Sequence, residues 1–312
     1  MAAETLYSQD ATHFTLRFVL KPGATVEGQL VLELADTFQK HLIFPGSPPA
    51  SIWTKSPGID AQLKMVDYSD RAWTAAVKKL RANECAVLRL EARTTDFPNQ
   101  TIAFYAHANP PGGAEVIQCG SIDVTCSVPY LRHLAASREK CDALIRFGVA
   151  VWNTVTPAYG FANLANTPKR KPFAGFGGAA PRLGPAAPPG VRAHAIPIAQ
   201  TGSDIDGNLD VLIAEGRGIK GAYWANYLSG AHVAMAGGQA ALRQRLQDIR
   251  IEPLSDGGVL IVAADSPLPV DSDENRSRFE RVEAALRPAF LSRDETPERK
   301  RDLLGYFFRE NK

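Results

Sequence analysis

The sequence has few of the residues that build disulfide frameworks and metal centres. Four cysteines occur in 312 residues, and no two of them stand in Cys-x-x-Cys spacing. The six histidines are scattered singly, with no His-x-x-x-His pair to ligate a metal. A cysteine count this low is atypical of a disulfide-stapled chain. We therefore expect no cofactor, and we expect reduced cysteines that pack as small core residues: Cys85, Cys119, Cys126 and Cys141.

Motifs for nucleophilic catalysis and for phosphate binding are also missing. There is no Gly-x-Ser-x-Gly elbow, with which a serine hydrolase exposes its nucleophile. The run Gly175–Gly178 is not followed by Gly-Lys-Ser/Thr, with which a P-loop holds phosphates. The net charge is only +2, and Lys169–Lys171 is a single short basic cluster. Because nucleic-acid binding needs many cations on one face, we expect no nucleic-acid partner.

No stretch is long and apolar enough to span a membrane. The run Phe14–Leu20 contains Arg17 and falls far short of the roughly 20 residues that a spanning helix needs. The start Met1–Leu6 has no basic region followed by an apolar block, which is the pattern of a secretory signal. We expect a protein that has no membrane contact and resides in the cytoplasm.

Two hydrophobic periods alternate along the chain and predict an α+β fold. Apolar residues recur at every fourth position from Val26 to Leu42, as on one face of a helix, and apolar runs of strand length lie between such segments. Pro45–Gly58 is punctuated by Gly and Pro and is predicted to be mostly loop. We expect a mainly antiparallel sheet with helices packed on one face. The predicted strands are 13–20, 85–91, 101–106, 122–128, 159–164, 221–230 and 259–262, and the predicted helices are 26–42, 68–80, 137–154, 231–246, 275–290 and 297–309.

A long connection divides the chain. From 167 to 197 the residues Gly, Pro and Ala dominate, and connections of this length are usually functional loops or linkers. We predict an N-terminal α+β part over 1–166, a connection over 167–200 and a C-terminal α+β part over 201–312. These parts form either two lobes or one compact domain.

Charge is distributed unevenly between these parts. Residues 151–200 hold five basic side chains and no acid, whereas residues 251–275 hold six acids and no base. Three interpretations stay open. The basic loop packs on the acidic loops, the acidic loops bind a basic partner, since complementary charge raises association rate and specificity, or both are merely solvated. The candidate partner-binding residues are Asp204, Asp206, Asp210, Asp265, Asp271, Asp273 and Glu274.

One acidic stretch fits the frame of a calcium loop. The frame's positions 1, 3, 5, 7 and 12 carry oxygen ligands, and position 6, where the sharp turn needs glycine, is Leu209. An Asp/Gly turn that leads into a strand explains the same residues. A calcium-responsive binding module is therefore kept as a third hypothesis. The residues in the frame are Asp204, Asp206, Asn208, Asp210 and Glu215.

The most distinctive segments lie in the C-terminal part. Gly221–Gly230 reads GAYWANYLSG, a run of strand-favouring aromatics bounded by glycines. The predicted helix that follows is interrupted at Gly237-Gly238. Leu254–Pro269 then carries a Gly-Gly turn and the apolar run VLIV, and a helix around Arg281–Pro288 follows. Large aromatics of this kind usually supply core area, so we expect burial of Tyr223, Trp224 and Tyr227.

These segments, together with Ala158–Ala162, resemble the type VI secretion immunity family, often called TsiV-like, over about 155–290. The resemblance implies a protein that binds a cognate secreted effector toxin tightly, protects the cell that makes it and needs no active site. Because an immunity protein must meet its toxin where the toxin acts, the resemblance implies, for a cytoplasmic protein, a toxin that acts in the cytoplasm. A nuclease is the leading hypothesis, because a basic nuclease would be attracted to the acidic loops.

An enzyme is the main alternative from another class. It would act on a small molecule in a pocket between the lobes. Such a pocket would be deep and would hold titratable groups with displaced pKa values.

Overall fold

One large sheet forms the centre of the fold. The computed structural model describes residues 11–21, 24, 26–44, 47–56, 62–95, 101–107, 120–166, 213–219, 221–268 and 273–290. Ten strands form one sheet, and every pair of neighbouring strands is antiparallel. The predicted α+β class with a mainly antiparallel sheet is confirmed.

Strands and helices are mixed along the chain. None of the described helices is long and apolar enough to cross a bilayer. The strands are β1 (Ala11–Val19), β2 (Pro49–Lys55), β3 (Lys64–Asp67), β4 (Val87–Arg93), β5 (Thr101–His107), β6 (Ser121–Ser127), β7 (Tyr159–Asn166), β8 (Ala225–Leu228), β9 (Arg250–Pro253) and β10 (Val259–Val262), in the sheet order β3-β2-β4-β5-β6-β1-β7-β8-β10-β9. The described helices are α1 (Gly28–Leu42), α2 (Asp70–Arg81), α3 (Val128–Leu134), α4 (Arg138–Val155), α5 (Gly230–Met235), α6 (Gly238–Arg245) and α7 (Asp273–Leu286).

One face of the central strands is apolar because their residues alternate. Successive side chains of a strand point to opposite faces, and Phe14, Leu16 and Phe18 of β1 are all buried. The long helices α1 and α4 cover this face. The ring of Phe38 in α1 lies 5.6 Å from Phe104 of β5 and 6.2 Å from Phe147 of α4. The sheet and both helices therefore share one aromatic core.

Tyr227 of β8 packs directly on α4. Its ring centroid lies 4.9 Å from that of Phe18 and 6.4 Å from that of Trp152. Its hydroxyl lies only 2.0 Å from the place where a Cβ atom on Gly148 would stand. Only a residue without a side chain allows this approach. The prediction that Tyr223, Trp224 and Tyr227 are core residues is confirmed, since all three are buried.

The sheet joins the two parts of the chain. Residues Tyr159–Ala162 of β7 pair with Ala225–Leu228 of β8, so that strands from both sides of the long connection are neighbours. The boundaries 1–166, 167–200 and 201–312 stay a prediction. The connection and the predicted helix 297–309 lie outside the described residues.

The loop predicted over Pro45–Gly58 is wrong, because β2 occupies Pro49–Lys55. Only Ser51 and Ile52 of this strand are buried, so the run has no alternation of apolar and polar residues. Pro49 stands where the register with β4 shifts, a position that tolerates proline.

Three further elements, β3, β9 and α3, were not predicted. Helix α3 directly follows β6. Ser127 caps it by accepting a hydrogen bond from the Tyr130 N–H at 3.4 Å, and Pro129 lies in its first turn, where a missing N–H costs nothing. Pro129 therefore follows the end of strand β6 and lies at the start of helix α3.

The predicted interruption of the helix over 231–246 is confirmed. Helix α5 ends before Gly237 and α6 begins at Gly238. The φ angles of Gly237 and Gly238 are 95° and 88°, in the left-handed region that favours glycine. The break between the two helices thus depends on both glycines.

His232 of α5 packs against the opposite face of the sheet. Tyr159 of β7 points away from α4, because its neighbour Gly160 faces Phe18. The ring centroids of Tyr159 and His232 lie 5.8 Å apart. His232 is fully buried, and its Nδ1 lies 2.9 Å from the hydroxyl of Ser229. Burial lowers the pKa of His232, because the charged ring would lose its water.

We expect His232 to make the protein less stable in mild acid. Because the folded-state pKa is lowered, the neutral ring contributes stability above the unfolded pKa of about 6.5, and this contribution is lost as the pH falls through the folded pKa. The variant His232→Gln should therefore lose less unfolding free energy than the wild type between pH 7.5 and pH 5. Urea titrations at both pH values measure this difference. The exposed His133 provides the control His133→Gln, which should follow the wild type; a His232→Gln variant that also follows it would contradict the assignment.

Candidate functional site: a charged cleft

A cleft of about 570 Å³ opens between the first half of α4, the turn before β9 and the end of β10. Helix α7 reaches it through Arg278. We call it the cleft, and its lining comprises Arg138, Cys141, Asp142, Ile145, Trp224, Gln247, Asp248, Ile249, Arg250, Val262, Ala263, Ala264, Asp265 and Arg278.

Trp224 fixes the inner wall of the cleft. Its indole Nε1–H donates a hydrogen bond of 2.8 Å to the carbonyl oxygen of Ala264, and the N–H of Ala263 donates one of 2.8 Å to the carbonyl of Trp224. Ile145 and Val262 beside it are buried. The segment after β10 is thereby held in one conformation, with an apolar layer beneath the charged groups.

Arg278 of α7 joins two of the predicted site residues at the mouth of the cleft. Its guanidinium lies 2.9 Å from a carboxylate oxygen of Glu274, one turn earlier, and 3.8 Å from one of Asp265. The Arg278 side chain is 20% exposed, whereas those of Asp265 and Glu274 are 80% and 73% exposed. The arginine thus lies beneath its two carboxylates.

Arg250 also pairs with two carboxylates, on the opposite side of the cleft. Its guanidinium donates hydrogen bonds to Asp142 of α4 and to Glu252 of β9. Desolvation acts to lower the pKa of Arg250, but the hydrogen bonds to Asp142 and Glu252 outweigh it and raise that pKa. This group fastens α4 to the edge strand β9.

Asp248 holds a third ion pair at the turn before β9. Arg281 of α7 donates two hydrogen bonds to its carboxylate, one of them 2.7 Å long. These bonds lower the pKa of Asp248 to about 2, so the carboxylate stays ionised at neutral pH. The same pairing raises the pKa of Arg281. The turn is thereby tied to α7.

The cysteines of the described residues are free thiols. Cys85, Cys126 and Cys141 are buried and unpaired with another cysteine, as expected, while Cys119 lies outside the described residues. Burial raises the pKa of Cys141 at the cleft, which keeps its sulfur in the unreactive thiol form.

The structure brings together only some of the predicted binding residues. Asp265 and Glu274 meet through Arg278, and Asp273 is exposed in the first turn of α7. The others, Asp204, Asp206, Asp210 and Asp271, lie outside the described residues. Packing of the basic loop on the acidic loops is untested for the same reason.

Five charged residues of the cleft lining were not predicted: Arg138, Asp142, Asp248, Arg250 and Arg278. Arg278 stands four residues after Glu274, a spacing at which a helix makes ion pairs. The Arg278–Glu274 ion pair could therefore have been predicted from the sequence. Arg250 and Asp142 are 108 residues apart, and no local pattern connects them.

The calcium frame is mostly outside the described residues. In its last member, Glu215, a carboxylate oxygen lies 3.4 Å from the Nε of Arg217. Within the ranges that the structure describes, no group of three or more His, Cys, Asp or Glu side chains could hold a metal ion. The calcium hypothesis stays a prediction.

Comparisons with known proteins place the C-terminal part in a functional context. The family model described as "TsiV: Type VI immunity for VRR-NUC" matches residues 199–309. The fold is similar to that of the Pseudomonas aeruginosa T6SS protein PA0821, with a TM-score of 0.54 and 14% identity over 90% of this chain and 73% of that chain. No curated protein matches the chain. The resemblance expected from the sequence is confirmed: residues 199–309, which contain most of the cleft lining, match the type VI immunity family.

Proposed function

We propose that this chain is a type VI secretion immunity protein that binds a cognate nuclease effector of the VRR-NUC type and neutralises it by non-covalent occlusion. The match of residues 199–309 to a family described as type VI immunity for VRR-NUC carries this proposal. The toxin acts in the cytoplasm, and this protein meets it there.

The charge arrangement at the cleft supports a nuclease as the partner. A protein that binds DNA neutralises phosphates with Lys and Arg, so its substrate surface is basic. The outermost carboxylates at the cleft, those of Asp265 and Glu274, are held in place by Arg278 and stay largely exposed. Charge complementarity of this kind raises the association rate.

The chemistry of the cleft favours binding over catalysis. General acid–base catalysis is most efficient when a group titrates near the working pH. Asp248, with its pKa at about 2, stays ionised, and the raised pKa of Cys141 opposes a nucleophilic role. Among the described lining residues these two groups therefore support a non-enzymatic role. A small-molecule enzyme stays the alternative.

Co-expression with the toxin tests the proposal. We expect the VRR-NUC effector alone to abolish growth of a host, and the same effector with this chain to restore it by several orders of magnitude in colony count. A catalytically inactive effector should co-purify with this chain. A cytoplasm-acting effector of unrelated chemistry, such as an NAD⁺ hydrolase, is the specificity control and should kill in both conditions. Absence of protection and of co-purification would reject the proposal.

Inhibition by occlusion can also be tested with the purified proteins. Nuclease activity should fall in proportion to the amount of this chain, reaching zero at one equivalent if the complex is one-to-one. Duplex DNA should compete with this chain for the inactive effector. A ternary complex with DNA would show that inhibition acts elsewhere on the toxin.

A further inference from the structure

We infer that the cleft receives an arginine or lysine side chain from a basic loop of the effector. The identity of the partner rests on the proposed function. The chemistry that the cleft selects rests on its own geometry and can be tested without the effector.

Excess negative charge on both sides of the cleft is the first observation. Arg278 lies between Asp265 and Glu274, and Arg250 lies between Asp142 and Glu252. Each group has two carboxylates for one guanidinium, so each carries a net charge of −1. The Asp248–Arg281 pair is neutral and Arg138 in the lining adds +1, so the five carboxylates and four arginines around the cleft carry a net charge of −1. A cation that enters is attracted to these carboxylates.

The order of the charges with depth is the second observation. The side chains of Asp265 and Glu274 are 80% and 73% exposed, but that of Arg278 between them is 20% exposed. At the third pair, Asp248 is 53% exposed and Arg281 is 39% exposed. At these two sites the carboxylates therefore face an approaching partner, with the arginines behind them. At the other group no such order holds, since Arg250 is 38% exposed and its partners Asp142 and Glu252 are 30% and 38% exposed. Their fixed positions reduce the ordering cost of binding.

The size and floor of the cleft suit a long side chain with a charged end. Ile145, Trp224 and Val262 form an apolar floor, on which the methylene groups of Lys or Arg can lie while the charge stays near water. The volume of about 570 Å³ exceeds that of a single side chain. Residues next to the arginine or lysine in the partner's loop therefore enter the cleft together with it.

Arg138 allows a test of whether the cleft prefers a cation or an anion. It lines the cleft from the first turn of α4 and is exposed. If the guest is a cation, Arg138 repels it, and Arg138→Gln should tighten binding about threefold or more. If the guest is an anion, the same change should weaken binding.

A small cationic probe tests the cleft without the effector. N-acetylarginine amide at millimolar concentration should shift the indole N–H resonance of Trp224 and the amide resonance of Ala264 in the full chain, and Asp142→Asn with Asp265→Asn should remove these shifts. Acetate at the same concentration is the probe of opposite charge and should leave them unchanged. If acetate shifts these resonances and the arginine probe does not, the inference is overturned.

Blocking the cleft tests its part in toxin binding. Gln247 is an exposed lining residue, so Gln247→Trp should fill the cleft without disturbing the core and weaken binding of the inactive effector at least tenfold. Gln244→Trp changes an exposed residue of α6 outside the lining and should bind as the wild type does. Equal affinity of both variants would overturn the inference and leave the proposed function standing. A wild-type chain that neither binds nor protects would instead reject the proposed function.

Discussion

A single methyl group at position 148 should destabilise the protein strongly. We expect Gly148→Ala to lower the free energy of unfolding by about 3 kcal/mol, the scale of overpacking in a dense core, and the melting temperature by about 6 °C or more. The reason is the 2.0 Å between the new Cβ and the hydroxyl of Tyr227, which is buried between Phe18 and Trp152. Calorimetry or urea titration measures the effect.

The direction of this change is diagnostic. Inside a helix, glycine to alanine ordinarily stabilises by roughly 1 kcal/mol, so propensity alone predicts the opposite sign. Tyr227→Leu removes the phenol ring, and in that background Gly148→Ala should become much less harmful. The hydroxyl of Tyr227 has no hydrogen-bond partner among the described residues, so Tyr227→Phe should cost little. A Gly148→Ala protein as stable as the wild type would contradict this packing.

Reversing charge at the mouth of the cleft should slow capture of the toxin. We expect Asp265→Lys with Glu274→Lys to lower the association rate constant with the inactive effector at least tenfold at low salt. The two carboxylates are the most exposed of the ion-paired acids around the cleft. Stopped-flow mixing measures the rate. The difference from wild type should shrink at 0.5 M salt, because exposed charges are screened there.

A control variant separates this local effect from net charge. Asp67 in β3 and Glu84 after α2 are exposed acids near the opposite edge of the sheet. Asp67→Lys with Glu84→Lys changes the net charge equally and should leave the rate within about twofold of wild type. Equal slowing by both variants would mean that the overall field, and not the cleft, guides the encounter. An unchanged rate in the cleft variant would remove Asp265 and Glu274 from the interface.

Local signals in the sequence were sufficient for the longest elements. Helix α4 was predicted over 137–154, where Ser137, a residue type that favours N-caps, stands before an apolar stripe. In the structure Ser137 accepts a hydrogen bond from the N–H of Lys140 at 3.3 Å, and the helix runs over Arg138–Val155. Strand β2 has no comparable apolar pattern, because only two of its residues are buried. Its place in the sheet depends on pairing with β4, which no local pattern reveals.

The candidate site was predictable only in part for a similar reason. Asp265 and Glu274 were identified as candidates from a local excess of acids, and the structure pairs them with Arg278. The missing partners come from other elements: Asp142 lies in α4 and Arg250 at the start of β9. Ion pairs between distant segments follow from the topology of the sheet, and a count of charges along the chain cannot supply them.

The pairing of β7 with β8 limits how the C-terminal part can exist by itself. The family match begins at residue 199, yet β8 is bounded by β7, which precedes that point. Tyr227 of β8 likewise lies against Phe18 and Trp152 from the earlier part. A fragment that starts at residue 199 would expose an unpaired strand edge, which is a template for aggregation, and bare aromatic rings. Exchange of this C-terminal segment between relatives would therefore demand matching changes in the sequence that precedes it.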